Sequence, residues 1–193
     1  MNLQKINVKF FVEKGADIPL ASFNPVFHRW IQEDKLEGML VDVAEYTHVY
    51  QGPGVLLIAH EANYSLDEEK GKRGFLYNQK RTPEKSVEDH LKTAFRRALT
   101  ACSLLEKEPG LAGKLKFSPS HLQVFVNDRM EAPYNPESLG ALEETLNPFL
   151  NELYEGGKFL LLHEKDPQKR AGFEIKVEKT PGLEDLLKKL SSN

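Results

Sequence analysis

Apolar residues recur along this chain with two periods, and the change of period marks where one kind of element gives way to another. Val87, Leu91, Ala94, Phe95, Ala98, Ala101, Cys102 and Leu105 repeat at three and four residues, which predicts a helix over about 84–106 that stops at Pro109-Gly110. Leu139, Leu142, Leu146, Phe149, Leu150 and Leu153 predict another over 137–154, ended by Gly156-Gly157. Pro148 falls inside it, so a kink or a restart capped by Asn147 is expected. Leu183, Leu186, Leu187 and Leu190 predict a last helix over 183–190, and Val26, Phe27, Trp30 and Ile31 a short early one. Each helix follows a side-chain acceptor and a proline: Asn24-Pro25, Thr82-Pro83, Asn135-Pro136 and Thr180-Pro181. The acceptor can cap, and proline loses nothing at the first helical position, where its missing N–H would have no partner.

The remaining apolar segments are short or alternate, as strands do. They predict strands over 5–12, 39–44, 55–62, 74–79, 122–126, 159–163 and 173–177, with turns at QGPG (51–54) and EEKGKRG (68–74). Phe173, Ile175 and Val177 alternate with Glu174, Lys176 and Glu178, so that strand has one wet face. The order reads β-α-β-β-β-α, then β-α-β-β-α. Adjacent strands without an intervening helix imply a mixed or antiparallel sheet. The expected fold is an α+β two-layer sandwich, with about seven strands and four helices on one sheet face. Trp30, Phe95, Leu142 and Phe149 belong to its core. The expected organisation is one globular domain over residues 1–193. The recurrence of β-α-β-β hints at a structural duplication into halves 1–81 and 82–193.

Composition narrows the function classes. With 40% hydrophobic and 28% charged residues, 193 residues can bury a real core. A net charge of −3 argues against a dedicated nucleic-acid binder. No apolar run approaches the length of a bilayer span, and the start lacks a secretory signal, so a soluble cytoplasmic protein without a membrane partner is expected. The single cysteine, Cys102, excludes an internal disulfide framework. Charge is segregated: residues 13–69 carry 3 basic and 11 acidic side chains, and residues 70–129 carry 13 basic and 6 acidic. Much of this describes solvated helix faces, as with Glu88 and Lys92 at i,i+4, but it also allows a basic face for an acidic partner.

No phosphate-binding glycine loop, HExxH, GxSxG or CxxC occurs, so the sequence names no cofactor. The densest cluster of candidate chemistry is DVAEYTHVYQGPGVLLIAHEANY, where Asp42, Glu45, His48, His60 and Glu61 surround one hairpin. A carboxylate beside an imidazole fixes its tautomer and raises its basicity, so Asp42, His60 and Glu61 form a candidate catalytic group. Two histidines and two carboxylates also suit zinc, iron or manganese, although the spacing matches no metal motif. The competing reading is that these are polar strand ends satisfying neighbours. Further candidate ligand contacts are His28 and His48, then Tyr77, Lys80 and Arg81 at the expected start of the long helix, then Asn127 and Arg129 at a strand end.

Taken together, FHRWIQ, LVDVAEYTHVYQGPGVLLIAHEANY, RGFLYNQKR and VFVNDRMEAPYNPE resemble a bacterial family of single-domain proteins without assigned function. The resemblance implies a free-standing bacterial protein and no particular activity, cofactor or catalytic residue. Two functions are compatible with the sequence. One is a binding or accessory protein for a small molecule or a protein partner, with a homo-oligomer allowed. The other is a small hydrolytic or metal-assisted enzyme centred on Asp42, His60 and Glu61.

Overall fold

The computed structural model describes residues 3, 5–50, 52–81, 86–163 and 170–191. Among them the elements run β1 (Ile6–Lys14), α1 (Asn24–Gln32), β2 (Leu40–Tyr46), β3 (Gly54–Ala59), β4 (Ala62–Asp67), β5 (Gly74–Gln79), α2 (Val87–Lys107), β6 (Lys116–Val126), α3 (Pro136–Leu153), β7 (Phe159–His163), β8 (Gly172–Val177) and α4 (Leu183–Ser191). The eight strands form one sheet in the order β2-β3-β4-β5-β1-β6-β8-β7, with every neighbouring pair antiparallel. This is the expected α+β sandwich.

β1 and β6 pair in the middle of the sheet, with Val8 opposite Val124. Beyond β1 come β5 and β4, and beyond β6 come β8 and β7. Each side is therefore built alike: a strand, a helix, a hairpin whose second strand returns to the first, and a closing helix. The first half inserts β2 and β3, which extend the sheet past β4.

The helices share one sheet face. Phe95 of α2 meets Phe10 of β1 edge-on at 6.0 Å, Phe149 of α3 meets Phe95 at 4.8 Å, and Phe27 of α1 reaches Phe75 of β5 at 6.5 Å. α4 joins α2 through Glu184, which accepts from Ser103 and Lys107. Trp30, Phe95, Leu142 and Phe149 are all buried in this layer, as the periodicity requires. No helix among the described residues is long and apolar enough to cross a membrane.

The structure corrects the reading of several boundaries. The apolar run read as one strand over 55–62 is two strands, because the chain reverses at His60-Glu61. No residue of that reversal has positive φ, so neither glycine nor asparagine announces it. β6 starts at Lys116 rather than Leu122; Pro119 lies in its irregular stretch, where the register with β1 shifts and proline's missing donor is tolerated. The long helix is capped by Ser86, whose hydroxyl accepts from Asp89 N while Asp89 accepts from Ser86 N; Thr82 and Pro83 lie outside the described residues. Asn135 caps α3 as expected, accepting from Ser138 N at 2.7 Å. Asn24 does not cap: it is already helical and donates to Glu45 at 2.8 Å. Thr180 turns its hydroxyl to the Pro181 carbonyl. α3 runs through Pro148 without a restart at Asn147. Aliphatic and aromatic contacts on its inner face, among them Leu146, Phe149 and Leu150, hold the turn that lacks one backbone bond.

Phe95 is fully buried between rings on β1 and α3, so Phe95→Ala should cost roughly 3–5 kcal/mol in urea unfolding, as for other large-to-small core changes. A loss below about 1 kcal/mol would place the ring outside the core.

Candidate functional site

With all four helices on one side, the other face of the sheet has to be finished by its own side chains and by loops. Strand alternation turns Ile6, Val8 and Phe10 of β1 to the helices and Asn7, Lys9 and Phe11 to the opposite face. The register then aligns cross-strand rows on that open face. One row is Asn63, Asn78, Asn7 and Phe125; the next is Ser65, Leu76, Lys9, Gln123, Glu174 and Leu162. The first row is linked to the β6 end by Asn127, which donates to Asn78 at 3.3 Å.

Lys9 is the unusual member, a lysine on a central strand with 3% of its surface exposed. An ammonium held away from water needs charge and hydrogen-bond partners. Its Nζ donates to Asp67 Oδ1 at 2.5 Å and to the Lys72 carbonyl at 2.9 Å. To reach them the side chain crosses Gly74, where a Cβ would stand 2.5 Å from Lys9 Cε; only glycine leaves this path open. Burial pushes the Asp67 carboxyl up from its ordinary value, against the opposing pull of Lys9.

Phe11 lies beside this pair. Lys9 Nζ stands 5.3 Å and Lys72 Nζ 5.6 Å from its ring centre, and the His121 ring is 4.4 Å away. Both distances are within cation–π range. Lys72 and His121 meet again at Glu174, which accepts from each at 2.8 Å. Burial raises the Glu174 carboxyl, but these two hydrogen bonds and their charges outweigh it and hold the group below its ordinary value.

Above this floor is a cleft of about 550 Å³. Its walls are the β4–β5 connection (Glu69, Lys70, Lys72), Arg129 after β6, and the bases of the β7–β8 connection (His163, Arg170). Phe11, Phe125, Gln123 and Leu162 contribute to the floor. Gly172 is required there, since a Cβ would lie 2.5 Å from Phe125 Cβ. Among the described residues, five cationic side chains line the cleft, Lys9, Lys70, Lys72, Arg129 and Arg170, against two carboxylates, Glu69 and Glu174. Asp67 beneath Lys9 makes a third acidic group, so the balance stays positive in a chain whose net charge is −3.

The residues singled out from sequence scatter over three places. Arg129 lines the cleft and Asn127 supports the polar row next to it. His60, Glu61, Lys80, Arg81 and Tyr77 gather at the far ends of β3, β4 and β5. There Lys80 N and Arg81 N donate to the Glu61 carbonyl, and Glu61 Oε2 accepts from Arg97 at 3.3 Å. Arg97 also reaches Glu37 at 3.2 Å and the Tyr77 hydroxyl at 3.4 Å. Tyr77 itself is buried against Tyr64 on the helix side, and burial pushes its hydroxyl up. Burial and neighbouring Arg81 push the Lys80 ammonium down.

The expected Asp42–His60 pairing does not form. The β2–β3 register puts Asp42 opposite Ile58, and its carboxylate accepts from Val43 N. Glu45 is spent on Asn24 and Thr47. His60 Nε2 instead lies 2.6 Å from Arg81 Nη1, and since a guanidinium can only donate, the imidazole nitrogen is the acceptor in that contact. His28 is exposed on α1 and His48 is exposed in the turn after β2. Among the described residues no three of His, Cys, Asp and Glu converge into a metal-binding group. Of the described residues lining the cleft only Arg129 is among the candidates drawn from sequence; the other cations, Lys9, Lys70, Lys72 and Arg170, and the floor residues are not. The signal was there in part: Lys9 interrupts an otherwise apolar stretch of the central strand, VKFFV (8–12).

Removing one member of a buried ion pair strands the other, so Lys9→Met should destabilise by about 3–5 kcal/mol, while Lys9→Met combined with Asp67→Leu should recover most of that loss. Urea unfolding of the three proteins measures both effects; a single variant as stable as the parent would contradict the pairing. His60 is exposed, so His60→Ala should change stability by less than about 0.5 kcal/mol in the same assay. No protein-family model matches the chain, and no curated protein sequence matches it.

Proposed function

We propose that this is a binding or accessory protein whose open sheet face takes an anionic small molecule in the cleft over Lys9 and Phe11. The observation that carries this reading is the cationic lining: among the described residues, five basic side chains against the carboxylates of Glu69, Glu174 and, beneath Lys9, Asp67, around a hollow of about 550 Å³, which is of ligand size. A concave site with low-dielectric walls and one sign of charge concentrates ions of the other sign. Its floor is held by Lys9 of β1 paired with Asp67 at the end of β4, and by Lys72 of the β4–β5 connection paired with Glu174 of β8, so these charges are in place before a ligand arrives. The two aromatic rings of the floor suit a ligand with an apolar or planar portion beside its acidic group. A single domain over residues 1–193 belongs to this reading, supported by one core cluster that draws on strands and helices of both halves. So does a bacterial, cytoplasmic setting.

The test is a thermal-shift panel of sugar phosphates, nucleotides and di- and tricarboxylates, run on the parent and on Arg129→Glu. At least one anion should raise the melting temperature of the parent, by an amount that grows with its concentration and falls with added salt. Arg129→Glu should lose most of that rise, and uncharged analogues should give none. A panel without any anion-dependent rise, or a rise unchanged by the charge reversal, would overturn the proposal.

A further inference from the structure

The two ends of the sheet are finished differently. Both end strands expose apolar side chains, Val41 and Tyr46 on β2, but β2 also carries devices that discourage another strand: a register irregularity between Leu40 and Asp42, and the acidic side chains Asp42 and Glu45. β7, at the other end, is Phe-Leu-Leu-Leu-His, with no bulge in its register with β8. Leu160 and Leu162 stand opposite Lys176 and Glu174, on the open face, and are 55% and 41% exposed. The repetition within the chain shows what such an edge accepts. β4 holds in the first half the place that β7 holds in the second, and the outer edge of β4 is covered by the apolar antiparallel strand β3. The matching edge of β7 has no strand on it among the described residues.

The backbone supplies a direction. Glu178 N donates to the Lys158 carbonyl, so Lys158 and Glu178 form a hydrogen-bonded pair of the antiparallel ladder. Alternation then gives Leu160 and Leu162 to the β8 side and turns the N–H and C=O of Phe159 and Leu161 outward. A second β7 running antiparallel about a two-fold axis at Leu161 lets the two Leu161 residues exchange both backbone bonds. The same operation sets Leu160 of each copy directly opposite Leu162 of the other. The exposed leucines thus form two pairs on the open face, and the strand is complementary to itself.

We propose that β7 is a homodimerisation edge, joining two copies of this chain through an antiparallel β7–β7 pair into one continuous sheet. Leu162 also lines the cleft, so the two anion sites would lie on the same face, flanking the two-fold axis. The proposal does not depend on what those clefts bind.

Sedimentation equilibrium of the full chain should give a mass near twice 22.0 kDa, falling to 22.0 kDa when Leu160 and Leu162 are both replaced by Lys. Both positions are exposed, and a circular dichroism spectrum equal to the parent's establishes that the variant is folded. A register test needs no disruptive change. Leu160→Cys and Leu162→Cys proteins, mixed under mild oxidation, should form a disulfide-linked heterodimer faster than either forms a homodimer. Directly opposed residues of a non-hydrogen-bonded pair sit about 4.5 Å apart at Cα, within the range a disulfide spans. A parent that stays monomeric at millimolar concentration, a dimer that survives the double lysine change, or cross-linking with no preference for the mixed pair would overturn the proposal.

Discussion

Lys9 places an ammonium on a central strand at a point where water scarcely reaches it, and a protein can keep a charge there only by building around it. Several otherwise unrelated features of this chain answer that demand. Asp67 ends β4 within 2.5 Å of it, the β4–β5 connection folds back so that the Lys72 carbonyl can accept, and residue 74 is a glycine because the lysine stem passes over it. Folding the connection back also brings the Lys72 side chain over Phe11 and onto Glu174. Glu174 belongs to β8 and Lys72 to the other half of the chain, so the chain of contacts that begins at Lys9 ties the two halves across the open face. The cleft is what remains between these contacts and the loops around them.

The opposite face obeys a simpler rule. A sheet of this kind can leave one side to solvent provided the other is covered. Here α2 lies against β1, β5 and β6, while α3 and α4 pack on α2. The Phe10–Phe95–Phe149 stack runs through that contact, from strand to first helix to second. Because the repeated unit closes each half with a helix on the same side, no helix among the described residues covers the second face, and side chains and loops bury its middle. That second face is where polar and charged groups can be arranged without competing with the core.

Periodicity was enough for the helices and for the class of fold, because Leu91, Phe95, Ala98 and Cys102 fall at spacings that only a helix turns to one side. It failed where the chemistry of a turn is silent. His60-Glu61 reverses the chain without any residue of positive φ, so nothing in the apolar run from Val55 to Ala62 marks its division into two strands. The Asp42–His60 expectation failed with it: the QGPG turn does pair the flanking strands, but in a register two residues away from that contact. Arg129 was legible as a strand-end residue near a possible ligand. Lys9, Lys72 and Glu174 are 63 and 102 residues apart in successive steps, and only the strand order β5-β1-β6-β8 makes them neighbours. No local pattern carries that information.

The central claim is that the open face concentrates anions, and it can be examined before any ligand is known. Paramagnetic relaxation of backbone amides by two small nitroxides, one anionic and one cationic, reports the local potential residue by residue. The account predicts that the amides of Lys72, Gln123, Phe125 and Gly172 relax faster with the anionic probe, and that raising the salt concentration removes the difference. Equal relaxation by the two probes at those amides, or faster relaxation by the cationic one, would contradict it.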